Sequence, residues 1–217
     1  MSTDGQVELV VFDLGRVLVR ICDNWQHACR VARVPVPFKD LDEFGKAKLL
    51  ELVHASEVGR MDQDEFYRHA GELFGVDPAH VALMSDAYLL GTYPGAVELI
   101  HELIARGYET ACLSNTNVNH WRIMADPTSP CALPFDRMAY HFASQLIGLR
   151  KPDDAIYAHV ENVSGKRGNQ IVFFDDLREN IEGATRRGWS AHQISTERDP
   201  VAQMREVLCS LHCLGGT

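Results

Sequence analysis

The sequence predicts an α/β protein: a doubly wound parallel sheet with a small helical segment inserted after its first strand. Two observations carry this. From residue 95 onward, apolar runs of strand length alternate with amphipathic runs of helical period. From Ile21 to Leu90, by contrast, the pattern is helical, with no convincing strand. The expected division is residues 1–20 and 92–217 for the sheet domain and 21–91 for the insertion.

The first strand spans about residues 7–13, where "VVF" runs straight into Asp13. Four helices follow. "DNWQHACRVA" opens on Asp23 as a cap, and "DLDEFGKAKLLELVHA" (40–55) carries apolar residues at helical spacing. "MDQDEFYRHAGELFG" pairs Asp62 with Glu65 in a capping-box pattern and stops at Gly75; Asp77-Pro78 opens the fourth helix. The alternation then begins with a helix at 95–106 ended by Gly107, a strand at 108–115 and a helix at 116–124. A Pro-rich loop leads to a short strand at 138–144, and a helix at 151–163 opens with Pro152 in its first turn. Strand 170–176, helix 177–188, strand 189–195 and helix 199–209 complete the chain.

Hydrophobic residues at 46% and charged residues at 24% are ordinary for a soluble globular protein. A net charge of −9 without a long Lys/Arg run argues against a nucleic-acid or anionic-membrane partner. The six cysteines do not make a disulfide framework in a chain of this size, and "MSTDGQVE" lacks the features of a signal peptide. Cys209 and Cys213 read as packing residues rather than metal ligands. The expected compartment is the reducing cytoplasm, and the apolar runs are too short to span a membrane.

In open α/β sheets, ligands bind beyond the carboxyl ends of the strands. Three strands end there in polar residues: Asp13, Ser114-Asn115 and Asp175-Asp176. Lys151 follows a fourth. One acid in such a place could be a helix cap; acid, hydroxyl, ammonium and paired acids together read as a site.

The same residues carry a resemblance. "FDLGRVL", "LSNTN", "RKPDDAIY" and "VFFDDLREN" resemble, in order, the four motifs of the haloacid dehalogenase-like hydrolase superfamily. The helical insertion stands where that superfamily places its first type of cap domain. The variants "DLG-x-V", "LSNTN" and "FDDxxxNIEGA" are most similar to those of bacterial α-D-glucose-1-phosphate phosphatases. The resemblance implies a Rossmann-like core and a Mg²⁺-dependent phosphatase acting on a small phosphorylated metabolite, a sugar phosphate such as glucose 1-phosphate. The expected state is a monomer or homodimer. Asp13 would attack phosphorus to form an aspartyl phosphate. Ser114 and the amide of Asn115 would donate to phosphate oxygens, and Lys151 would neutralise phosphate and carboxylates. Asp13, Asp176, the Gly15 carbonyl and, indirectly, Asp175 would hold Mg²⁺. Asn180, one turn into the next helix, would orient the acidic pair or Lys151, though helix-surface polarity explains it nearly as well.

Gly15 departs from the usual pattern. Most such phosphatases have there a second aspartate, which protonates the leaving group and later activates water. Glycine can do neither, and general acid–base help is worth roughly 10²–10⁴-fold in rate. Three explanations compete: a substitute group, an easily expelled leaving group such as an anomeric hydroxyl, or weak turnover. The last corresponds to a phosphometabolite-binding module. A 2-haloacid dehalogenase is the other enzyme reading, since those relatives also lack this aspartate, although "FFDD" keeps the paired acids of a metal site. Arg16 is aimed either at phosphate or at solvent. His120 and Trp121 line a pocket or pack a helix, and Asp23, Trp25, His27 and Arg60 are cap residues whose direction the sequence leaves open.

Overall fold

The structure, a computed structural model, describes residues 6–34 and 41–215. Residues 1–5 and 216–217 of the expected sheet domain lie outside it, as does Asp40 of the second expected helix. In chain order the elements are β1 (Leu9–Phe12), β2 (Val19–Ile21), α1 (Trp25–Val31), α2 (Glu43–Glu57), α3 (Gln63–Phe74) and α4 (Pro78–Asp86). Then come β3 (Leu89–Thr92), α5 (Ala96–Ala105), β4 (Glu109–Ser114), α6 (Val118–Ala125), β5 (Tyr140–Ala143) and α7 (Ser144–Ile147). The chain ends with α8 (Asp154–Ser164), β6 (Ile171–Asp175), α9 (Arg178–Arg186), β7 (Ser190–Gln193) and α10 (Pro200–Ser210).

Five strands form one parallel sheet in the order β5-β4-β1-β6-β7. Side chains alternate across it. Val10, Phe12, Val172 and Phe174 pack on one face against Leu99 and Leu103 of α5 and Met204 of α10. Leu9, Val11, Ile171 and Phe173 pack on the other against Ile156, Tyr157 and Val160 of α8. Burial on both faces is why the central strands read as unbroken apolar runs. The chain winds from β1 to β4 and β5 on one side, then crosses to β6 and β7 on the other. That reversal opens a crevice at the carboxyl end of β1, where such folds take up ligands.

Residues between Cys22 and Leu90 build a separate apolar cluster around Phe66, Phe74 and Met84, with Trp25 against it. Asp62 caps α3 by accepting from the Glu65 amide at 2.8 Å, and Gly75 ends that helix at φ +70°. Asp77 caps α4 ahead of Pro78.

Three expectations need correction. The segment from Ile21 to Leu90 is not wholly helical: β2 pairs antiparallel with β3, Val19 opposite Thr92 and Ile21 opposite Leu89. Both expected boundaries of the insertion fall in this ribbon. Strands of three and four residues are too short to show alternation, and their pairing is a long-range event that local pattern does not encode. The cap of α1 is Asn24, whose side chain accepts from the His27 amide at 2.8 Å, while the Asp23 carboxylate lies 3.2 Å from His27 Nδ1. Finally, α8 begins after Asp153, so Pro152 precedes the helix instead of opening its first turn.

Candidate active site

The backbone of β1 continues one residue past the strand. The Asp13 amide donates to the Phe174 carbonyl at 2.8 Å, which fixes its carboxylate at the mouth of the crevice. A tight loop follows, in which the Leu14 carbonyl accepts from the amides of Leu18 and Val19 at 2.9 and 2.8 Å. Arg16 closes it at φ +61°, a left-handed conformation that strains a residue with a Cβ. The guanidinium thereby reaches Asp176, Nη1 to Oδ2 3.7 Å. The loop's hydrogen bonds use the carbonyls of Leu14 and Val19, not that of Gly15.

Lys151 is 1% exposed and sits at the centre of the site. Its Nζ donates to Asp175 Oδ2 at 2.6 Å and lies 2.9 Å from Asp13 Oδ1. Its main chain is clasped by Asn115: the side-chain amide donates to the Lys151 carbonyl, and the Lys151 amide donates back to Oδ1, each at 2.9 Å. The side chain of Asn115 is thus spent on placing the lysine. Burial pulls the Lys151 pKa down, but the charges of Asp13 and Asp175 outweigh it and hold the ammonium above its usual value.

Asp175 is fully buried and saturated. Besides Lys151, it accepts from the Leu177 amide at 2.8 Å and from Asn180 Nδ2, which lies 2.9 and 3.0 Å from its two oxygens. Asn180, itself 2% exposed, faces inward, which excludes the surface-polarity alternative. Its carbonyl accepts from the Tyr157 hydroxyl at 2.9 Å. Gly183, one turn on, leaves room for that ring: a Cβ there would stand 2.6 Å from Tyr157 Cε2.

Asp13, Asp175 and Asp176 each bring a carboxylate oxygen, all within 4.8 Å of one another, the one group of potential metal ligands among the described residues. Three carboxylates face Lys151 and Arg16, so negative charge is left over. Burial accordingly pushes the Asp13 carboxyl up to about 7, against the pull of Lys151 and with the push of Asp175. Burial and the Asp175 charge raise Asp176 as well. Hard oxygen donors with surplus negative charge suit a divalent cation such as Mg²⁺. Asp175 has its oxygens committed elsewhere, so Asp13 and Asp176 have the freer ones.

Ser114 is buried at the end of β4 and, with Gly15 and Asn115, borders a cavity of 310 Å³. Its far wall comes from the insertion and the ribbon. Trp25 lines it; Asp23, His27 and Arg60 do not. His120 lines it too, donating through Nε2 to the Ser85 carbonyl at 2.9 Å, and burial lowers its pKa. Trp121 instead stacks on Phe135, ring centroids 4.1 Å apart. Sequence reasoning missed Phe66 and Tyr88 on the wall and Ser144, whose hydroxyl receives the Thr116 amide at 3.0 Å. All three sit in ordinary amphipathic surroundings, and no local signal marks them.

All six cysteines are free thiols. No helix among the described residues is long and apolar enough to cross a membrane.

The chain is 30% identical over 102 residues to "Phosphatase MT3486" of Mycobacterium tuberculosis, a match spanning 47% of this chain and about half, 46%, of that relative. It is 24% identical over 200 residues to "Sesquiterpene phosphatase astK" of Aspergillus oryzae, covering 91% and 95% of the two chains. The fold is shared with the HAD family enzyme bt-2542 from Bacteroides thetaiotaomicron: TM-score 0.78 at 20% identity, over 92% of this chain and 99% of that one. The same enzyme in complex with magnesium and inorganic phosphate superposes with a TM-score of 0.70, at 20% identity over 89% and 96% of the chains. The family model for haloacid dehalogenase-like hydrolases matches residues 7–188, from the first strand of the sheet to the end of α9. The chain belongs to the haloacid dehalogenase-like hydrolase family.

Proposed function

We propose that the protein is a Mg²⁺-dependent phosphomonoester hydrolase working through an aspartyl phosphate on Asp13. One observation carries the reading: a buried carboxylate at the strand switch point, gripped by Lys151, with two further acids against it. Lys151 engages Oδ1, which leaves Oδ2 as the attacking oxygen. As the Oδ2–P bond forms, the P–O ester bond breaks, and the alcohol departs with a proton from solvent. Water then attacks phosphorus, the Oδ2–P bond breaks, and the water's proton passes to solvent, which frees inorganic phosphate and the Asp13 carboxylate. Ser114 and the Asn115 amide donate to phosphate oxygens, while Lys151 balances charge on both. Asp13, Asp176 and the Gly15 carbonyl would hold Mg²⁺, with Asp175 behind them, and the ion would supply positive charge against phosphate. Residues 21–91 act as a cap that closes the crevice.

Both relatives named above are called phosphatases, and the Bacteroides enzyme was captured with magnesium and phosphate, which supports the same chemistry here. A sugar phosphate such as glucose 1-phosphate agrees with Gly15, because an anomeric hydroxyl leaves without an acid. It agrees poorly with the mostly apolar cavity wall. The dehalogenase reading gives no task to Asp176, whose carboxylate completes the acidic group.

The test is phosphate release from a panel of phosphomonoesters with Mg²⁺, with EDTA, and by Asp13→Asn. Turnover that needs Mg²⁺ and falls at least about 10⁴-fold in a folded Asp13→Asn variant is the expected result. Chloride release from 2-chloropropionate, unaffected by EDTA, would replace the phosphatase by the dehalogenase.

A further inference from the structure

We propose that the group esterified to the phosphate is predominantly apolar: a ring-sized hydrocarbon alcohol rather than a sugar. The inference rests on the phosphomonoester reading and concerns the cavity that begins at Leu14, Gly15 and Ser114, next to Asp13 in the chain; Asp13, Lys151, Asp175 and Asp176 do not themselves line it. Ser114, Asn115 and Gly15 border its floor. The opposite wall is Ile21 and Leu89 from the ribbon, Val53 from α2, and Trp25, Phe66 and Tyr88 from the insertion. The Trp25 ring lies 6.1 Å from Phe66 and 5.7 Å from Tyr88, so the aromatic part is one continuous surface.

Three of the polar side chains that line the cavity are engaged elsewhere, while the buried Thr116 hydroxyl has no protein partner among the described residues. Glu57 is held by Arg150 at 3.1 Å, and Asn117 Oδ1 receives the His120 amide at 2.9 Å. His120 Nε2 donates to the Ser85 carbonyl, and that carbonyl can only accept, so the ring carries its proton there. Hydroxyls spread around a hexose would meet hydrocarbon over most of the surface, and burying them without partners is unfavourable. A hydrocarbon ring gains from the same surface.

Gly15 adds an independent indication. A Cβ at this position would stand 3.3 Å from Ile21 Cδ1. A side chain there would need the Ile21 methyl to give by a few tenths of an ångström at the seam where floor meets apolar wall. Glycine keeps that seam open and free of charge. A cavity of 310 Å³ lies at the small end of ligand pockets, which suits one ring better than a long chain.

Cyclohexylmethyl phosphate and glucose 6-phosphate form a matched pair, both primary alkyl esters on a six-membered ring, so leaving-group chemistry is nearly constant. The measurements are kcat/KM for each ester with Mg²⁺, and calorimetric binding of each to Asp13→Asn with Mg²⁺. The expected result is a preference of about tenfold or more for the cyclohexyl ester in both. Ile21→Thr, or Val53→Thr should the ribbon not tolerate the first, should narrow the ratio by lowering the cyclohexyl value alone. Equal values, a preference for the glucose ester, or absence of binding by Asp13→Asn would overturn the proposal. Hydrolysis of both esters at equal rates would do so while leaving the phosphatase intact. Preferential binding without turnover of either ester would leave the apolar pocket standing and remove the phosphatase instead.

Discussion

The charged floor at the strand ends and the apolar walls of the cavity beside it are built on opposite principles. On the floor, Lys151 and Asp175 are buried and held by several partners: the Lys151 ammonium by two carboxylates and its main chain by Asn115, Asp175 by Lys151, Leu177 and Asn180. The walls are hydrocarbon, with polar contacts concentrated where the insertion meets the sheet domain: Arg150 to Glu57 at 3.1 Å, Asn119 to Asp86 at 2.7 Å, His120 to Ser85. Buried charge tolerates only one arrangement, because an unpaired ion in low dielectric is costly. Hydrocarbon accepts many arrangements of similar volume. The floor is therefore specified residue by residue, and the walls only in outline.

Breaking the floor should show this most strongly. Lys151→Met leaves Asp13 and Asp175 buried without a counter-charge. A loss of about 3–5 kcal/mol of stability is expected. Turnover should vanish for every ester alike, and urea unfolding with a phosphate-release assay reads both effects. Added Mg²⁺ should recover part of the stability, since the acids would then face a cation.

Asn180→Ala sharpens the comparison one step further out. It removes two hydrogen bonds from Asp175 without touching the charge balance. The expected cost is about 1–3 kcal/mol in stability and roughly 10–100-fold in Mg²⁺ affinity or activity. A Mg²⁺ titration should show the weaker affinity, whereas a merely structural role would lower the melting temperature and leave the titration unchanged.

Gly183→Ala tests the support behind Asn180. The new methyl would collide with the Tyr157 ring, and about 1–3 kcal/mol of destabilisation is expected, read by thermal or urea unfolding. The smallest effect belongs to the seam. Glu57→Gln weakens a partly exposed ion pair across it, and stability should change by about 1 kcal/mol or less. Because the pair bridges insertion and sheet domain, KM should move more than kcat, for polar and apolar esters equally.

The same contrast explains which parts of the site are legible in the sequence. Asp13, Ser114, Lys151, Asp175 and Asp176 stand out because polar residues end apolar strands, and strand order carries those ends to one edge. Asn180 was visible as a residue but not as a direction; only the turn from β6 into α9 swings it back over Asp175. The wall was illegible for a physical reason. Trp25 and Trp121 occupy similar amphipathic segments, and which of them meets the cavity depends on how the insertion packs. Phe66 and Tyr88 look like any core aromatic. The ribbon escaped notice because its two short halves lie far apart in sequence and are stabilised by each other.

That ribbon has a consequence for how the molecule can change. Since Val19 faces Thr92 and Ile21 faces Leu89, the chain leaves the sheet domain and returns to it through hydrogen-bonded neighbours. Whatever lies between is, to the rest of the fold, the tip of a hairpin. Its length hardly alters the entropy of closing that hairpin, which grows only logarithmically with loop size. Segments of different shape joined at these two points would leave and re-enter the sheet domain at the same place. The strand-end cluster and the apolar wall are thus joined through one two-stranded neck.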